Sequence, residues 1–318
     1  MIAPDWIEYE NANGGRFSLS GSAEEIISQV KQLSARVAPS ETVPNNLTIE
    51  NRLAGSIGVR VYTPKIQNAS HQLPVCLFSH GGGFIAGSLD SEDDFCRWIA
   101  TTIGCIVVSI DYRLGPENKL PTMLEDVVSV YKWVCQPENA LLGEQGELFA
   151  MGGSAGGALS LALANYICKE SANGNQLRKL DGVIALTPIT LHPDNVPTEH
   201  VAGYTSYTEN ADAPIMGSHA MRIYLNAVDA VPTDQSIFTA LSPRLADFPP
   251  VYVGTCGADP LRDDGRVMVN LLRKSGVKVV ADHYPGYPHI FWIFRQFAGS
   301  ALFYENLERG IKSILQSI

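Results

Sequence analysis

The chain has 318 residues and is acidic, with 23 Lys and Arg against 33 Asp and Glu and a formal net charge of −10. Its 45% hydrophobic and 18% charged residues suit one large globular domain, with or without a lid. The acidic balance disfavours nucleic acid as a partner, and no apolar run is long enough to predict a membrane span. The N-terminus lacks the basic start and apolar core of a signal peptide, so we expect a cytoplasmic protein that binds a small molecule.

The cysteine usage argues against a disulfide framework and against a metal site. The six cysteines form no C-x-x-C pair, and several lie inside apolar runs. We therefore expect buried thiols rather than disulfides.

The hydrophobic pattern predicts an N-terminal helix, two short strands and then alternating strands and helices. A helix begins near Ser22, where Ser22 and Glu25 form a capping box, and strands follow near 47–54 and 57–62. Continuous apolar strands separated by amphipathic helices indicate a mostly parallel sheet covered on both faces. The strands are predicted at 75–78, 105–110, 148–151, 183–186, 251–254 and 277–281, and the helices at 92–102, 121–136, 155–170, 260–275 and 300–316.

Two regions depart from this alternation. Residues 1–44 precede the first strand and are predicted to form an N-terminal lid segment. Residues 191–245 are rich in Pro, Asp, Thr and aromatic residues, and we interpret them as a lid insertion. Residues 45–318 are then one α/β catalytic domain, which contains the 191–245 insertion.

The most informative stretch is the Gly-rich turn from Gly152 to Gly156, between an apolar strand and an Ala/Leu-rich helix. Gly152-Gly153-Ser154-Ala155-Gly156 fits G-x-S-x-G, in which a tight strand-to-helix turn presents a serine hydroxyl as nucleophile. A glycine turn that only packs tightly, or one that holds a phosphate, is the alternative. The lysine of a phosphate-binding loop is missing here, which weakens the nucleotide alternative.

A second glycine run lies where oxyanion donors are needed. His80-Gly81-Gly82-Gly83 follows a predicted strand upstream of Ser154, and glycines let backbone N–H groups approach a substrate closely. We assign the N–H groups of Gly82, Gly83 and Ala155 as oxyanion donors. His80 precedes the serine, so we expect it to anchor the loop rather than act as the base.

The acid and the base are expected late in the chain, because this fold orders them as Ser, Asp or Glu, then His. Asp259 lies nearest a strand end and is favoured as the acid, although it could be only a helix cap before Pro260. Asp263 and Asp264 fall in the first turns of the next helix, where acids commonly just offset the helix dipole. Only His283 and His289 follow Asp259, and His289 lies in a loop after the last predicted strand.

At these residues the chain resembles the hormone-sensitive-lipase-like family of α/β-hydrolases. The resemblance covers about residues 45–318 and includes the blocks 80–84, 111–117, 152–157, 259–263 and 288–289. It implies an eight-stranded α/β-hydrolase fold with a helical lid and Ser154, Asp259 and His289 as a triad. It also implies hydrolysis of esters with short to medium acyl chains, and a homodimer through the last strand and helix.

The chain departs from the family pattern at three positions. Gly153 stands where the family usually has Asp, Ile290 follows the histidine where Gly is frequent, and Leu114-Gly115-Pro116 replaces the usual Leu-Ala-Pro. None of these changes removes a reacting group, and Ile290 is expected to narrow the pocket.

Three hypotheses follow from these motifs. The first is a serine carboxylesterase with Phe84, Ile290, Tyr204 and Tyr207 in the substrate pocket. This chemistry is expected to need no metal and no organic cofactor. The second keeps the site but restricts it to one specialised metabolite, as a deacetylase, a lactone hydrolase or another repurposed α/β-hydrolase. The alternative for Tyr204, Tyr207 and Tyr224 is ordinary lid packing. The third is a small-molecule receptor, since the resemblance includes plant gibberellin receptors that have lost the histidine; the intact triad argues against it.

Overall fold

The computed structural model describes residues 1–36, 43–66, 72–139, 141 and 146–315. Eight strands form one sheet in the order β1-β2-β4-β3-β5-β6-β7-β8. Strands β1, β2 and β4 pair antiparallel, and every other neighbouring pair is parallel. The strands are β1 Leu47–Ala54, β2 Ile57–Pro64, β3 Val75–Ser79, β4 Ile106–Asp111, β5 Leu148–Gly153, β6 Gly182–Leu186, β7 Val251–Ala258 and β8 Val279–Pro288.

Ten α-helices occur in the described parts of the chain. They are α1 Pro4–Ala12, α2 Ala23–Arg36, α3 Asp93–Trp98, α4 Thr122–Val134, α5 Ala155–Ala172, α6 Thr198–Val201, α7 Ser206–Glu209, α8 Ser218–Ala227, α9 Arg262–Lys274 and α10 Ala298–Ile314. None of the helices in these described ranges is long and apolar enough to cross a membrane.

The structure confirms the predicted mostly parallel α/β sheet. Strands β3, β5 and β6 are buried along their whole length, as continuous apolar strands covered on both faces must be. The capping box also forms, since the Ser22 N–H donates to Glu25 Oε2 at 2.7 Å and the Glu25 N–H donates to Ser22 Oγ at 3.3 Å. Parallel strands bring their carboxyl ends to one edge, where the predicted site residues follow β3, β5, β7 and β8.

Helix α1 is the main element that the sequence pattern did not predict. It buries Trp6, whose ring packs edge-on against Phe294 at 5.3 Å between centroids. The N–H of Ala3 also donates to the Gly286 carbonyl at 2.9 Å. These partners lie near the other end of the sequence. The local hydrophobic pattern of residues 4–12 therefore does not predict the helix.

The N-terminal segment and the 191–245 region meet over the sheet edge. The N–H of Leu19 donates to the Ile215 carbonyl at 2.8 Å, and the Ile215 N–H donates to the Phe17 carbonyl at 2.7 Å. The 191–245 region contains α6, α7 and α8, three short helices separated by turns. Residues 37–42 of the predicted N-terminal lid lie outside the described residues.

Candidate active site

Ser154 lies at the tip of a tight turn between β5 and α5. Its backbone has φ +56° and ψ −119°, an unfavourable conformation for a residue with a side chain. The Ser154 N–H donates to the Leu186 carbonyl at 2.8 Å, which ties the turn to β6. A methyl group on Gly152 would lie 2.6 Å from the Gly156 carbonyl oxygen, so the turn closes only with glycine there. This is the geometry of a nucleophile elbow.

Asp259 and His289 form a buried pair beside this turn. His289 Nδ1 lies 2.8 Å from Asp259 Oδ2, and the second oxygen of Asp259 accepts the Leu261 N–H at 2.8 Å. An ionised carboxylate can only accept, so Nδ1 carries the proton and Nε2 of the ring is left as an acceptor. Asp259 is fully buried, and His289 and Ser154 line the same cavity. The structure thus brings the three predicted triad residues to one edge of the sheet.

The glycine loop after β3 forms another wall of the cavity. Gly82 and Gly83 have φ of +118° and +62°, and the Gly82 carbonyl accepts the N–H groups of Ile85 and Ala86. The loop begins at His80, whose ring stacks on Tyr112 at 4.3 Å and whose carbonyl accepts the Tyr112 hydroxyl at 2.8 Å. Burial lowers the pKa of His80 to about 4, against a smaller opposing effect of its bond to the Gly81 carbonyl. A neutral, buried His80 anchors the loop in this geometry.

The cavity over Ser154 is small and largely apolar, with a volume of about 80 Å³. Its walls come from distant parts of the chain. Val30 and Leu33 come from α2, Met216 and Tyr224 from the 191–245 region, and Ile290 and Trp292 from the loop after β8.

One of the four predicted pocket residues lines the cavity, and the other three are not among its lining residues. Ile290 lines it with φ +51°, whereas Phe84 is fully buried and is not among the lining residues. Tyr204 and Tyr207 stack on each other at 5.7 Å, and the Tyr204 hydroxyl donates to Asp264 Oδ2 at 2.5 Å. Neither tyrosine is among the residues that line the cavity, and Tyr204 instead supplies a hydrogen-bond donor to the buried carboxyl group of Asp264.

The sequence suggested that Asp263 and Asp264 only offset the dipole of α9, but in the structure both accept hydrogen bonds from the chain around residues 190–206. Asp264 accepts the N–H groups of Thr190 and Leu191, and burial raises its pKa to about 7 despite these bonds. Burial alone would raise the pKa of Asp263, but hydrogen bonds from Arg262 and two backbone N–H groups lower it. Both residues bind the 191–245 region to helix α9.

Glu92 is a cavity residue that the sequence reasoning did not identify. It lines the cavity with Ser154 and His289, and its Oε1 accepts the Gly81 N–H at 2.6 Å. Its position before α3 carries no motif that would single it out. In the parts of the chain that the structure describes, no cluster of three His, Cys, Asp or Glu residues has the arrangement of a metal site.

Comparison with known proteins gives the same family that the motifs suggest. The family model of the alpha/beta hydrolase fold matches residues 76–293, more than two thirds of the chain. The chain belongs to the α/β-hydrolase family. A versiconal hemiacetal acetate esterase from Dothistroma septosporum is 36% identical to this hydrolase over 322 residues, covering 100% of this chain and 96% of the relative.

Bacterial and archaeal esterases are also similar to this α/β-hydrolase. Carboxylesterase NlhH from Mycobacterium tuberculosis is 31% identical over 315 residues, covering 95% of this chain and 92% of its own. The crystallised hyperthermophilic esterase from Pyrobaculum calidifontis superposes with a TM-score of 0.81 at 26% identity, covering 98% of both chains. The α/β-hydrolase described here is a carboxylic ester hydrolase.

Proposed function

We propose that this hydrolase cleaves short acyl esters, acetates in particular, through an acyl-enzyme intermediate on Ser154. The observation that carries the proposal is the buried Asp259–His289 pair lining one cavity with a serine on a strained elbow. Those groups supply the nucleophile, the base and the orienting acid of acyl transfer.

Acylation begins with attack of Ser154 Oγ on the ester carbonyl carbon. His289 Nε2 takes the hydroxyl proton, and Asp259 holds the ring and stabilises the imidazolium that forms. The carbonyl oxygen becomes an oxyanion, which the N–H groups of Gly82, Gly83 and Ala155 stabilise. The C–O bond to the alcohol then breaks, and His289 returns the proton to the departing alcohol oxygen.

Deacylation repeats these steps with water. His289 removes a proton from a water molecule that attacks the acyl carbon, and the same N–H groups stabilise the second oxyanion. Collapse releases the carboxylic acid and gives the proton back to Ser154 Oγ. The cycle needs no metal or organic cofactor.

A specialised metabolite carrying an acetyl ester is the substrate class we favour. The cavity of about 80 Å³ suits a short acyl group, and Tyr224 and Trp292 in its wall suit an aromatic alcohol portion. The similar Dothistroma protein is named for an acetate ester, versiconal hemiacetal acetate. A lactone hydrolase, which would use the same serine chemistry, is the second candidate.

The test is hydrolysis of p-nitrophenyl esters from acetate to decanoate by wild type, Ser154→Ala and Ser160→Ala. Ser160 is a matched control, because it is a buried serine of α5 whose hydroxyl donates to the Gly156 carbonyl. We expect a preference for acetate, a kcat loss of roughly 1,000-fold or more in Ser154→Ala, and near wild-type rates in Ser160→Ala. Retained activity in folded Ser154→Ala would remove the assignment. A wild type that a serine-directed phosphonate does not label would favour a receptor.

Two properties of the whole protein belong to the proposal as well. A homodimer through β8 and α10 is supported by the position of β8 as the last strand of the sheet, which leaves one side of it without a neighbouring strand among the described residues. Sedimentation velocity would give the oligomeric state. A cytoplasmic location is supported by six free cysteines, five of them buried.

A further inference from the structure

The carboxyl group of Glu92 is directed into the active site rather than onto its own helix. Glu92 precedes α3 at the N-cap position, where an acidic side chain usually bonds the free N–H groups of the helix. Its side chain makes no such bond. Instead Oε1 accepts the Gly81 N–H at 2.6 Å, the one hydrogen bond of this carboxyl group within the described residues.

This bond adds a restraint at the upstream end of the glycine loop, where the Tyr112 hydroxyl also holds the His80 carbonyl. On the downstream side the Gly82 carbonyl accepts the N–H groups of Ile85 and Ala86, at 3.2 and 3.0 Å. On the upstream side the Gly81 N–H is held by the Glu92 side chain. Glycines have wide conformational freedom, so a loop of three needs a restraint at each end to keep its N–H groups directed at a substrate.

The carboxyl group, the loop and the elbow are in close contact. A methyl group on Gly81 would lie 3.3 Å from Glu92 Oε1, 3.3 Å from the Gly153 carbonyl oxygen and 3.8 Å from Ser154 Cβ. A shift of the Glu92 side chain would therefore change the distance between the loop and the nucleophile. Gly153 contributes no side chain here, whereas the side chain of Glu92 belongs to a residue that lines the cavity with Ser154.

We propose that Glu92 is a positioning residue for ester hydrolysis, which holds Gly81–Gly83 in the oxyanion-binding conformation through the Gly81 N–H. The inference rests on the proposed function, since it concerns the same donors. It adds a residue outside the triad and outside the glycine loop whose loss should lower kcat without removing a reacting group.

The hydrogen bond should also depend on pH. Burial raises the pKa of Glu92 to about 7, although the Gly81 N–H and the nearby His289 lower it. The ionised form accepts the stronger, charge-assisted bond, so the loop is held more firmly above pH 7.

Other groups near the carboxyl group must be separated from this effect. They are His289, Tyr112, Cys96, Tyr304, Arg295 and Asp94. Burial raises the pKa of the thiol and of both phenols, so these three stay neutral around pH 7. A guanidinium keeps its charge throughout, and His289 is common to all variants.

The experiment compares Glu92→Gln, Glu92→Met and the control Asp94→Asn as full-length proteins, with p-nitrophenyl acetate between pH 5.5 and 9. Methionine keeps the length of the side chain without an acceptor oxygen, and we expect kcat to fall about 100-fold with little change in KM. Glutamine keeps an acceptor, so its kcat should stay within about threefold of wild type. The ratio of wild-type to Glu92→Gln kcat should rise through about pH 7. Asp94 is exposed and lies two residues away, so Asp94→Asn should match wild type.

Three results would overturn the inference: full activity in Glu92→Met, equal losses in both Glu92 variants, or a pH-independent ratio. If Glu92→Met does not fold, the ratio for Glu92→Gln decides alone. The rate of labelling of Ser154 by a serine-directed phosphonate is measured in parallel, because its phosphoryl oxygen needs the same N–H donors. Slower labelling of Glu92→Met than of wild type would support the role of Glu92, whether or not the wild type hydrolyses these esters. Absence of ester hydrolysis by the wild type would count only against the proposed substrate class.

Discussion

Gly152 and Gly153 are adjacent in β5, yet the structure requires glycine at only one of them. A methyl group on Gly152 would collide with backbone atoms of Ser79 and Gly156. A methyl group on Gly153 would meet only Trp292 Cζ2, at 3.5 Å, which is ordinary contact. The G-x-S-x-G pattern thus carries a steric requirement at its first glycine, while its second position is free to vary.

This difference predicts opposite outcomes for two alanine variants. Gly152→Ala should lower the free energy of unfolding by about 2–3 kcal/mol, because backbone atoms cannot yield as side chains do. Gly153→Ala should stay within about 0.5 kcal/mol of wild type. Urea unfolding of both proteins gives the comparison, and equal losses would contradict the contact distances.

At the scale of elements, Asp264 connects the first turn of α9 to the 191–245 region. Its carboxyl group is fully buried and accepts two backbone N–H groups and the Tyr204 hydroxyl. No cation is bonded to it among the described residues, and burial raises its pKa to about 7. The folded state therefore holds a proton that the unfolded chain loses near pH 4.

The raised pKa of Asp264 determines how the stability of the protein changes with pH. The contribution of Asp264 to stability is complete at low pH, where both states are protonated, and it is lost as pH rises through about 7. Asp264→Asn, whose amide oxygen can accept the same N–H groups, should therefore gain stability relative to wild type between pH 5 and pH 8. The gain should be about 3 kcal/mol at most, measured by urea unfolding at both values.

Asp247→Asn is the control for this measurement, because Asp247 is an exposed carboxylate paired with Arg244. It should leave the pH dependence of unfolding unchanged. If the free energies of unfolding of wild type and Asp264→Asn differ by the same amount at pH 5 and at pH 8, Asp264 is ionised at both pH values.

At the scale of the whole molecule, three distant residues separate the cavity from an outer groove. Leu33 of α2, Ile215 of the 191–245 region and Ile293 after β8 line both the cavity and the groove. The groove has a volume of about 540 Å³ and is walled by aromatic residues, including Trp6 and Phe294. The small size of the cavity thus depends on how three parts of the chain pack together.

Leu33→Ala should join the cavity to the groove and relax the preference for short acyl chains. We expect the ratio of kcat/KM for decanoate to that for acetate to rise several-fold, since each additional buried methylene contributes about 0.8 kcal/mol. The p-nitrophenyl ester series gives the ratio, and Leu302→Ala is the control because Leu302 is an exposed leucine. An unchanged ratio in Leu33→Ala would mean that the acyl chain does not extend toward α2.

The sequence by itself determined the sheet, the elbow and the chain order of the site residues. Local sequence patterns predict each of these features. The patterns are apolar runs of strand length, the glycines around Ser154, and the strand ends before Asp259 and His289. Helix α2 is equally predictable from the sequence, because its capping box and its helical hydrophobic period lie within one short segment.

Only the tertiary structure decided the cavity walls, helix α1, the hydrogen bond from Tyr204 to Asp264, and the bond from Gly81 to Glu92. The local sequence around a tyrosine in a lid does not indicate whether its side chain faces substrate or a buried carboxyl group such as that of Asp264. Trp6 packs against Phe294, and Leu33, Ile215 and Ile293 line one cavity, although these residues are far apart in the sequence. Such contacts depend on which residues the completed fold brings together, and hydrophobic periodicity carries information only about near neighbours.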